Sequence, residues 1–336
     1  MAASVIHVPV LLQEVLEHLV VPPGGRILDL TLGLGGHAEA ILATAGNDAR
    51  YLGVDRDPHA RARARERLGH DGRLTILAST HEDVWEYPPF EAWCESHAAD
   101  GFDVILADLG ISTLHLKDAS RGFSFMEAGP LDMRMNPDEG PTAKEWIGQQ
   151  TDTSLADVLY QYGEERASRP IARAILKAHA EGRLETTTDL AAAVYTVLPR
   201  EIAKRKKQSD PATRTFQAIR IAVNGELERL EATLEQAVRH LRPGGRLGVI
   251  SFHSLEDRIV KLTLRRLAGT YDGPGRFAPE DLPRHVRLIA PGGLAPQEAE
   301  VAANPASRSA RLRVAERLLP DGSSLNPEAS SRRKPR

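Results

Sequence analysis

The chain has 336 residues, 41% of them hydrophobic and 26% charged, which is the composition of an ordinary globular protein and excludes a disordered or fibrous one. Lysine and arginine number 43 and aspartate and glutamate 46, and this balance excludes an overall histone-like basic character. The single cysteine, Cys94, excludes an internal disulfide and a cysteine-rich zinc site. A chain of this length is expected to form two domains, or one domain with a large insertion.

The apolar stretch 8–21 is the first feature along the chain. Gln13, Glu14, Glu17 and His18 interrupt it, so it is too polar and too short to cross a membrane. It also lacks the basic lead and the small-residue cleavage site of a signal peptide. No later run approaches about 20 uninterrupted apolar residues. We therefore expect a cytoplasmic protein without a membrane partner.

Four short apolar runs then follow at a steady interval. Each is continuous, as expected for a strand that is covered on both faces of a sheet. The segment 59–68, rich in Ala, Arg and Glu, is compatible with a helix between two of them. Starts about 25 residues apart fit βαβ units and a parallel sheet. The predicted strands are 26–30, 51–54, 74–77 and 102–107.

A fifth strand is predicted at 246–251, after a helical run at 226–241 and the turn Pro243-Gly244-Gly245. Weaker strand candidates lie at 286–290 and 310–315. The fold class that these elements predict is α/β, with a doubly wound and mostly parallel sheet.

A long segment separates the fourth strand from the fifth, where such a sheet needs only a loop and one helix. The surplus contains amphipathic helical segments, namely 155–163, 170–181 and 189–197. We interpret it as an inserted, mostly helical domain at 136–215. Residues 1–135 and 216–319 then form one discontinuous α/β domain, and the tail 320–336, rich in Ser, Pro, Asn and Arg, is predicted to be disordered.

The residues directly after each strand matter most, because ligands of open α/β sheets bind beyond the carboxyl ends of the strands. The first strand is followed by a glycine turn with the spacing G-x-G-G, not the G-x-G-x-x-G of dinucleotide sites. Asp29 at the mouth of this turn would repel a pyrophosphate and attract a cation or an amino group. Asp55, after the second strand, can accept hydrogen bonds from both hydroxyls of a ribose. These features favour S-adenosylmethionine (SAM) over NAD, although NAD and a turn without any ligand stay open as alternatives.

Other site chemistries find less support. The histidines have no metal-ligand spacing, so no metal is expected. No G-x-S-x-G elbow is present, which sets aside a Ser-His-Asp hydrolase of that type.

The segment 200–220 is locally basic and could follow a phosphate backbone, with a solvated charged loop as the equal alternative. Only Glu201 and Asp210 oppose its positive charge. The basic cluster 332–334 could add nonspecific attraction to RNA. The basic residues of the segment are Arg200, Lys204, Arg205, Lys206, Lys207, Arg214 and Arg220.

Several long blocks closely resemble one known family. They include DLTLGLGGHAEAIL, GVDRDP, DLGIS, RGFSFMEAGPLDMRM, YGEERASRPIARAI, DPATRTFQAIRIAVNGEL and LRPGGRLGVISFHSLEDRIVK. The chain resembles the ribosomal RNA small-subunit methyltransferase H family, also called MraW, from about residue 7 to about residue 317. The resemblance implies a class I SAM-dependent methyltransferase (Rossmann-like) fold with an inserted helical domain for substrate recognition. It also implies methylation of the N4 amine of a cytidine in the decoding region of bacterial 16S rRNA.

The resemblance further implies a set of SAM-binding residues and a partner. His81 stands where the family commonly has Phe, and His115 where it has Gln; an imidazole can stack on adenine and can form hydrogen bonds. The implied partner is 16S rRNA, within the small ribosomal subunit, and a homodimer stays open. Carried over by position, the SAM-binding residues are Gly35, Gly36, His37, Asp55, His81, Asp108 and His115.

Methyl transfer to a cytosine amine needs positioning and a proton acceptor, because the N4 lone pair is delocalised into the ring. Asp108 is the candidate catalytic residue for this role. The base must also be held, and Phe123 and Phe125 are aromatic candidates for it. A non-enzymatic RNA-binding assembly factor that uses SAM only as a structural ligand, and an NAD-linked oxidoreductase, are the rival functions. The candidate substrate-binding residues are Arg214, Phe216, Arg220 and His253.

Overall fold

The computed structural model describes residues 9–205, 209–270 and 283–325. The chain divides into two compact units. Met1–Gly110 together with Arg229–Arg336 form the first, which we call the sheet unit, and Ile111–Glu228 form the second, the helical unit. The predicted insert 136–215 lies inside the helical unit, whose limits are wider at both ends. Residues 326–336 of the predicted tail lie outside the described residues.

The sheet unit contains a seven-stranded sheet in the order β3-β2-β1-β4-β5-β7-β6. Strands β1 to β5 are parallel, and β7 runs antiparallel to both β5 and β6. The predicted doubly wound, mostly parallel sheet is therefore confirmed. The strands are β1 (Arg26–Asp29), β2 (Arg50–Asp55), β3 (Leu74–Ala78), β4 (Phe102–Asp108), β5 (Leu241–Ser251), β6 (Val286–Leu288) and β7 (Arg311–Arg317).

Helices connect the strands and build the second unit. The first four and the last three belong to the sheet unit, and the other seven to the helical unit, within the ranges that the structure describes. In chain order they are α1 (Leu12–His18), α2 (Gly36–Thr44), α3 (Pro58–Leu68), α4 (Pro88–His97), α5 (Thr113–Lys117), α6 (Ala143–Gly148), α7 (Asp152–Gly163), α8 (Ser168–Ala180), α9 (Thr187–Tyr195), α10 (Arg200–Arg205), α11 (Ala212–Asn224), α12 (Leu230–His240), α13 (Ser254–Leu267) and α14 (Glu298–Ala303).

Local sequence explains where the helices begin. Helix α3 has Pro58 in its first turn, and the side chain of Asp57 accepts a hydrogen bond from the backbone N–H of His59 at 2.9 Å. In the helical unit, α6 begins with a capping box between Thr142 and Glu145, in which each side chain accepts from the backbone N–H of the other residue. Boxes of the same type open α7 and α9. Each such cap contributes about 1 kcal/mol to helix stability.

The core of the sheet unit lies between the sheet and the helices that cover it. Ile27, Tyr51, Val104 and Leu312, from four different strands, are all completely buried. Burying a side chain of this size stabilises the fold by about 1.5–3 kcal/mol. Strands that are covered on both faces therefore consist of consecutive apolar residues. The helical unit has its own core, built from the inward faces of α6 to α9 and α11.

A buried ion-pair cluster joins the last three strands. Glu316 of β7 is completely buried, and its Oε1 accepts from Arg287 Nη2 of β6 at 2.8 Å. Its Oε2 lies 3.4 Å from Arg246 Nε of β5. Because two cations surround one carboxylate, Glu316 fixes the register of the antiparallel edge of the sheet.

Among the described residues, no helix combines the length and the apolar character that a membrane crossing requires.

Candidate active site

Three parallel strands bring three aspartates to one edge of the sheet unit. Strand β1 pairs with β2 on one side and with β4 on the other, so that Asp29 lies in register with Gly53 and with Leu106. Asp55 ends β2 and Asp108 ends β4. The carboxyl ends of these strands therefore meet where the sheet changes its direction of winding, as expected for a ligand site in this fold.

The glycine turn between β1 and α2 is fastened to the end of β2. The backbone N–H of Gly33 donates to Oδ2 of Asp55 at 2.7 Å, and the N–H of Asp57 donates to Oδ1 of the same carboxylate at 2.8 Å. Gly33 and Gly35 have φ angles of 55° and 76°, in the left-handed region where glycine is favoured. Asp55 is thus held beside the glycine turn with a fixed orientation.

Asp29 is a structural residue of this edge, which corrects the expectation that it attracts a cation or an amino group at the mouth of the turn. Its side chain is only 1% exposed. Oδ2 accepts from the hydroxyl of Tyr51 at 2.8 Å, and Oδ1 accepts from the backbone N–H of Thr31 at 3.1 Å. Burial raises the pKa of Asp29 to about 7, although these two hydrogen bonds oppose the shift.

Asp108 has one oxygen that makes no hydrogen bond within the described residues. Oδ1 is buried there without a partner, while the side chain as a whole is 27% exposed. The backbone N–H of Asp108 donates to the hydroxyl of Thr31 at 2.5 Å, which fixes the end of β4 to the glycine turn. Burial, and then repulsion by Asp29 and Glu256, raise the pKa of Asp108 well above its usual range.

His37, in the first turn of α2, lies beside Asp108. Its Nδ1 is 3.7 Å from Oδ2 of Asp108, and its Nε2 is 3.0 Å from the backbone oxygen of Val10. The residue is 6% exposed. The structure therefore brings together three of the predicted site residues, His37, Asp55 and Asp108, around the glycine turn.

His81 follows β3, the next strand of the sheet. Its Nε2 lies 3.4 Å from Oε1 of Glu82, and its Nδ1 is buried without a hydrogen-bond partner among the described residues. Burial lowers the pKa of His81, so that the ring is neutral at physiological pH. A neutral ring with one unused nitrogen can contact an adenine by stacking or by a hydrogen bond.

His253 caps a helix, and this role was not foreseen in the sequence. It precedes α13, its Nδ1 accepts from the backbone N–H of Glu256 at 3.4 Å, and its Nε2 lies 3.2 Å from Oε1 of Glu256. Oε2 of the same buried carboxylate accepts from the N–H of Phe252 at 2.8 Å. The pattern of a polar residue followed three positions later by Glu is a capping-box signal, and it could have identified Glu256.

The helical unit contains the remaining predicted contacts. His115 is 5% exposed, its Nδ1 lies 3.2 Å from both the N–H and the hydroxyl of Ser112, and its ring centroid is 4.7 Å from that of Phe123. Phe216 is also 5% exposed, with its ring centroid 4.9 Å from that of Phe125. Phe216 therefore packs in the core of this unit, and its stacking on a base stays a prediction.

The basic segment 200–220 is partly neutralised by carboxylates of the helical unit. Both Nε and Nη2 of Arg220 donate to Glu226, at 2.8 and 2.7 Å, and its role as a substrate contact stays a prediction. The side chain of Arg214, by contrast, is 58% exposed. Its Nη1 makes only a long contact, 3.8 Å, with Oε2 of Glu165. Lys206 and Lys207 lie outside the described residues, as does the side chain of Lys204.

One known protein family matches nearly the whole chain. The model of the MraW methylase family matches residues 4–318. The chain belongs to the MraW methylase family. This membership confirms the resemblance found in the sequence blocks, and it agrees with the class I methyltransferase sheet that was predicted.

Curated members of the MraW methylase family match nearly the whole chain. A "Ribosomal RNA small subunit methyltransferase H" from Xanthomonas oryzae is 47% identical over 97% of this chain and 93% of its own length. A protein of the same name from Stenotrophomonas maltophilia is 44% identical over 94% of each chain. The match covers residues of both units. An NAD-linked oxidoreductase is no longer a competing interpretation.

Proposed function

We propose that this protein transfers a methyl group from SAM to the N4 amine of a cytidine in the decoding region of bacterial 16S rRNA. The single observation that carries the proposal is the match of the whole chain to rRNA small-subunit methyltransferases. Asp55 beside the glycine turn agrees with it, because a carboxylate at that place can accept hydrogen bonds from the hydroxyls of a ribose.

The donor site is proposed at the glycine turn. Asp55 is the proposed acceptor of hydrogen bonds from the ribose hydroxyls. Oδ1 of Asp108 and Nδ1 of His81 are buried without a hydrogen-bond partner among the described residues, and buried polar atoms normally find a partner in a protein or a ligand. The remaining proposed contacts are Gly35, Gly36, His37 and His115.

The protein's own contribution to the reaction is positioning, together with acceptance of a proton. SAM supplies the activated methyl group, and the transfer is an in-line displacement at the methyl carbon. Asp108 is the proposed acceptor for an N–H of the cytosine amine, because its Oδ1 is buried without a hydrogen-bond partner among the described residues. His253, whose ring is held by Glu256, stays a proposed contact of the base.

The helical unit is the proposed site of rRNA recognition. Arg214 presents an exposed guanidinium that can contact a phosphate. Binding through such contacts weakens as the salt concentration rises. The target cytosine has to be unpaired or flipped out before its amine reaches the methyl group.

The test is methylation of small ribosomal subunits from a strain that lacks this modification, with SAM carrying a labelled methyl group and with the modified nucleoside mapped afterwards. We expect label on N4 of one cytidine, and none with Asp108→Asn. A parallel reaction with naked 16S rRNA shows whether the assembled subunit is the substrate. Label on no cytosine contradicts the proposal, and binding of subunits without turnover supports an assembly factor instead.

A further inference from the structure

Helix α8 of the helical unit carries a basic stripe, formed by Arg169, Arg173 and Lys177. These residues follow one another at intervals of four, and all three are exposed. Residues four apart lie on the same side of an α-helix, about 6 Å from one another along its axis. The basic stripe therefore extends over about 12 Å of the surface of the helical unit.

The opposite face of α8 fixes the helix in the core of its unit. Ile171, Ala172 and Ile175 are completely buried, and α8 packs against α7 and α9. The period of 3.6 residues per turn places the basic stripe on the side turned away from these three residues. A helix that is anchored in this way presents its outer charges at fixed places.

The basic stripe lacks acidic partners within the described ranges. Helix α8 contains neither Asp nor Glu, and none of the three side chains of the stripe forms an ion pair or a hydrogen bond there. Exposed arginines of other helices do form such pairs. Arg63 of α3 is 2.9 Å from Glu66, and Arg266 of α13 donates to Glu231 at 2.8 Å. The stripe thus differs from an ordinary solvated helix face, on which both signs of charge alternate.

This arrangement of charge is unfavourable for the helix itself. Like charges four residues apart destabilise a helix, and the stripe contains two such pairs. Arg169 also lies in the first turn of α8, where the helix dipole disfavours a cation. Glu181, directly after α8, forms an ion pair with Arg183. A row of anions along the stripe would relieve both the repulsion and the conflict with the dipole.

Further cations lie at the N-terminal end of α8. The buried carboxylate of Glu165 accepts from the backbone N–H of Ala167 at 2.8 Å, and its Oε2 lies 3.8 Å from Nη1 of Arg214 in α11. Arg166 in the same connection is exposed, as is the neighbouring Glu164. Glu165 therefore links the exposed guanidinium of Arg214 to the beginning of α8.

We propose that the basic stripe is a binding surface for the phosphate backbone of rRNA, continued at the start of α8 by Arg214. Charge complementarity supports this partner, because successive phosphates of a nucleotide strand are separated by a distance similar to that between the cations of the stripe. The inference rests on the proposed function, from which the RNA partner comes. It assigns rRNA contacts to a helix for which the sequence suggested none.

The first experiment measures binding of naked 16S rRNA, without turnover, at salt concentrations from about 0.05 to about 0.2 M. The triple variant Arg169→Gln, Arg173→Gln and Lys177→Gln removes the stripe but keeps residues that favour a helix. Each phosphate contact contributes about 0.7–0.9 to the slope of log affinity against log salt, so the slope should become less steep by about 2–3. Affinity at about 0.15 M salt should fall by about 10-fold or more. An unchanged slope and affinity overturn the proposal.

A second triple variant is the matched control for net charge. Arg63→Gln, Arg65→Gln and Arg239→Gln remove three exposed cations from the sheet unit. We expect the control to keep most of the parent's affinity and slope, and a loss as large as that of the stripe variant contradicts a specific surface on α8.

Folding and donor binding are checked on the stripe variant itself. Its Tm should equal or exceed that of the parent, because charges that repel one another are gone. A clearly lower Tm overturns the electrostatic argument. Its affinity for SAM, measured by calorimetry without RNA, should be unchanged.

The last experiment identifies the molecule that lies on the basic stripe. Cys94 is the only cysteine of the chain, so Arg173→Cys in a Cys94→Ser background carries a photoreactive group at one place. On small ribosomal subunits we expect crosslinks to 16S rRNA, and far fewer from Arg65→Cys in the same background. Crosslinks to a ribosomal protein alone, or none, overturn the proposal. Because no experiment here needs methyl transfer, rRNA binding through the stripe without methylation of any cytosine refutes the proposed function and not this inference.

Discussion

The stability of the sheet unit should fall as the pH rises from about 4 to about 7, because of Asp29. This carboxyl has a pKa of about 7 in the folded chain, against 3.8 for an unperturbed aspartate. Within that range the folded state binds a proton that the unfolded state has already lost. The slope of unfolding free energy against pH is set by protons bound in the unfolded state minus those bound in the folded state, and it is therefore negative for this group.

The magnitude follows from the size of the shift. Each unit of pKa corresponds to about 1.4 kcal/mol, so a rise from 3.8 to about 7 corresponds to about 4 kcal/mol. Asp29 is 1% exposed, so solvent screening does not reduce the effect. Asp29 should thus remove about 4 kcal/mol of stability between mildly acidic and mildly basic solution.

The comparison of the protein with its Asp29→Asn variant isolates this group, because asparagine has nearly the same shape and does not titrate. Chemical denaturation from about pH 4 to about pH 9 gives the unfolding free energy of each protein. Both are made in a Trp146→Phe background. The remaining tryptophans, Trp85 and Trp93, both lie in the sheet unit, so their fluorescence reports the unit that contains Asp29. The variant should gain stability relative to the parent as the pH rises.

Tyr51→Phe is the matched control, because it removes the hydrogen bond that lowers the pKa of Asp29. The pKa should then rise further, and the fall in stability should continue to higher pH. If the difference between parent and Asp29→Asn is the same at all pH values, Asp29 titrates normally and the reasoning from its burial is wrong.

Three further variants test other parts of the sheet unit. Asp55→Ala should weaken SAM binding by about 1–3 kcal/mol in calorimetry, because the ribose hydroxyls lose their acceptor, and an unchanged affinity would remove Asp55 from the site. Gly35→Ala should cost about 1–2 kcal/mol in thermal unfolding because φ is 76°, whereas Gly46→Ala, with open space around the new Cβ, should cost less. Glu316→Ala should cost about 3 kcal/mol, because it leaves two arginines without their buried carboxylate, and a loss below about 1 kcal/mol would show that solvent compensates them.

The sequence was sufficient to predict where the strands lie and which residues stand at their carboxyl ends. Strands β1, β2 and β4 and the last residues of β5 are mostly buried, and buried strands appear in the sequence as unbroken apolar runs. The residues that follow them, such as Asp55 and Asp108, must then gather at one edge of a parallel sheet. The antiparallel direction of β7 was not predicted, because an apolar run has no direction in itself.

The sequence did not show which groups the individual side chains contact in the folded protein. The sequence suggested that the carboxylate of Asp29 binds a positively charged ligand. In the structure it accepts a hydrogen bond from the hydroxyl of Tyr51 on the neighbouring strand. The sequence did not show that Arg220 donates to Glu226, which lies just after α11. The sequence also did not show that Phe216 packs in the core of the helical unit. In each case the tertiary fold, not the local sequence, decides what the side chain contacts.

The long excursion of the chain between two adjacent strands has a consequence for biosynthesis. Asp108 of β4 pairs with Ile250 of β5, and the entire helical unit is translated between them. When β4 has left the ribosome, its outer edge has no neighbour until about 140 further residues have been made. At elongation rates of roughly 5–20 residues per second, that edge stays open for roughly 7–28 seconds, during which it can pair with other chains. Nascent chains that stop inside the helical unit should therefore aggregate more readily than chains that extend past β5.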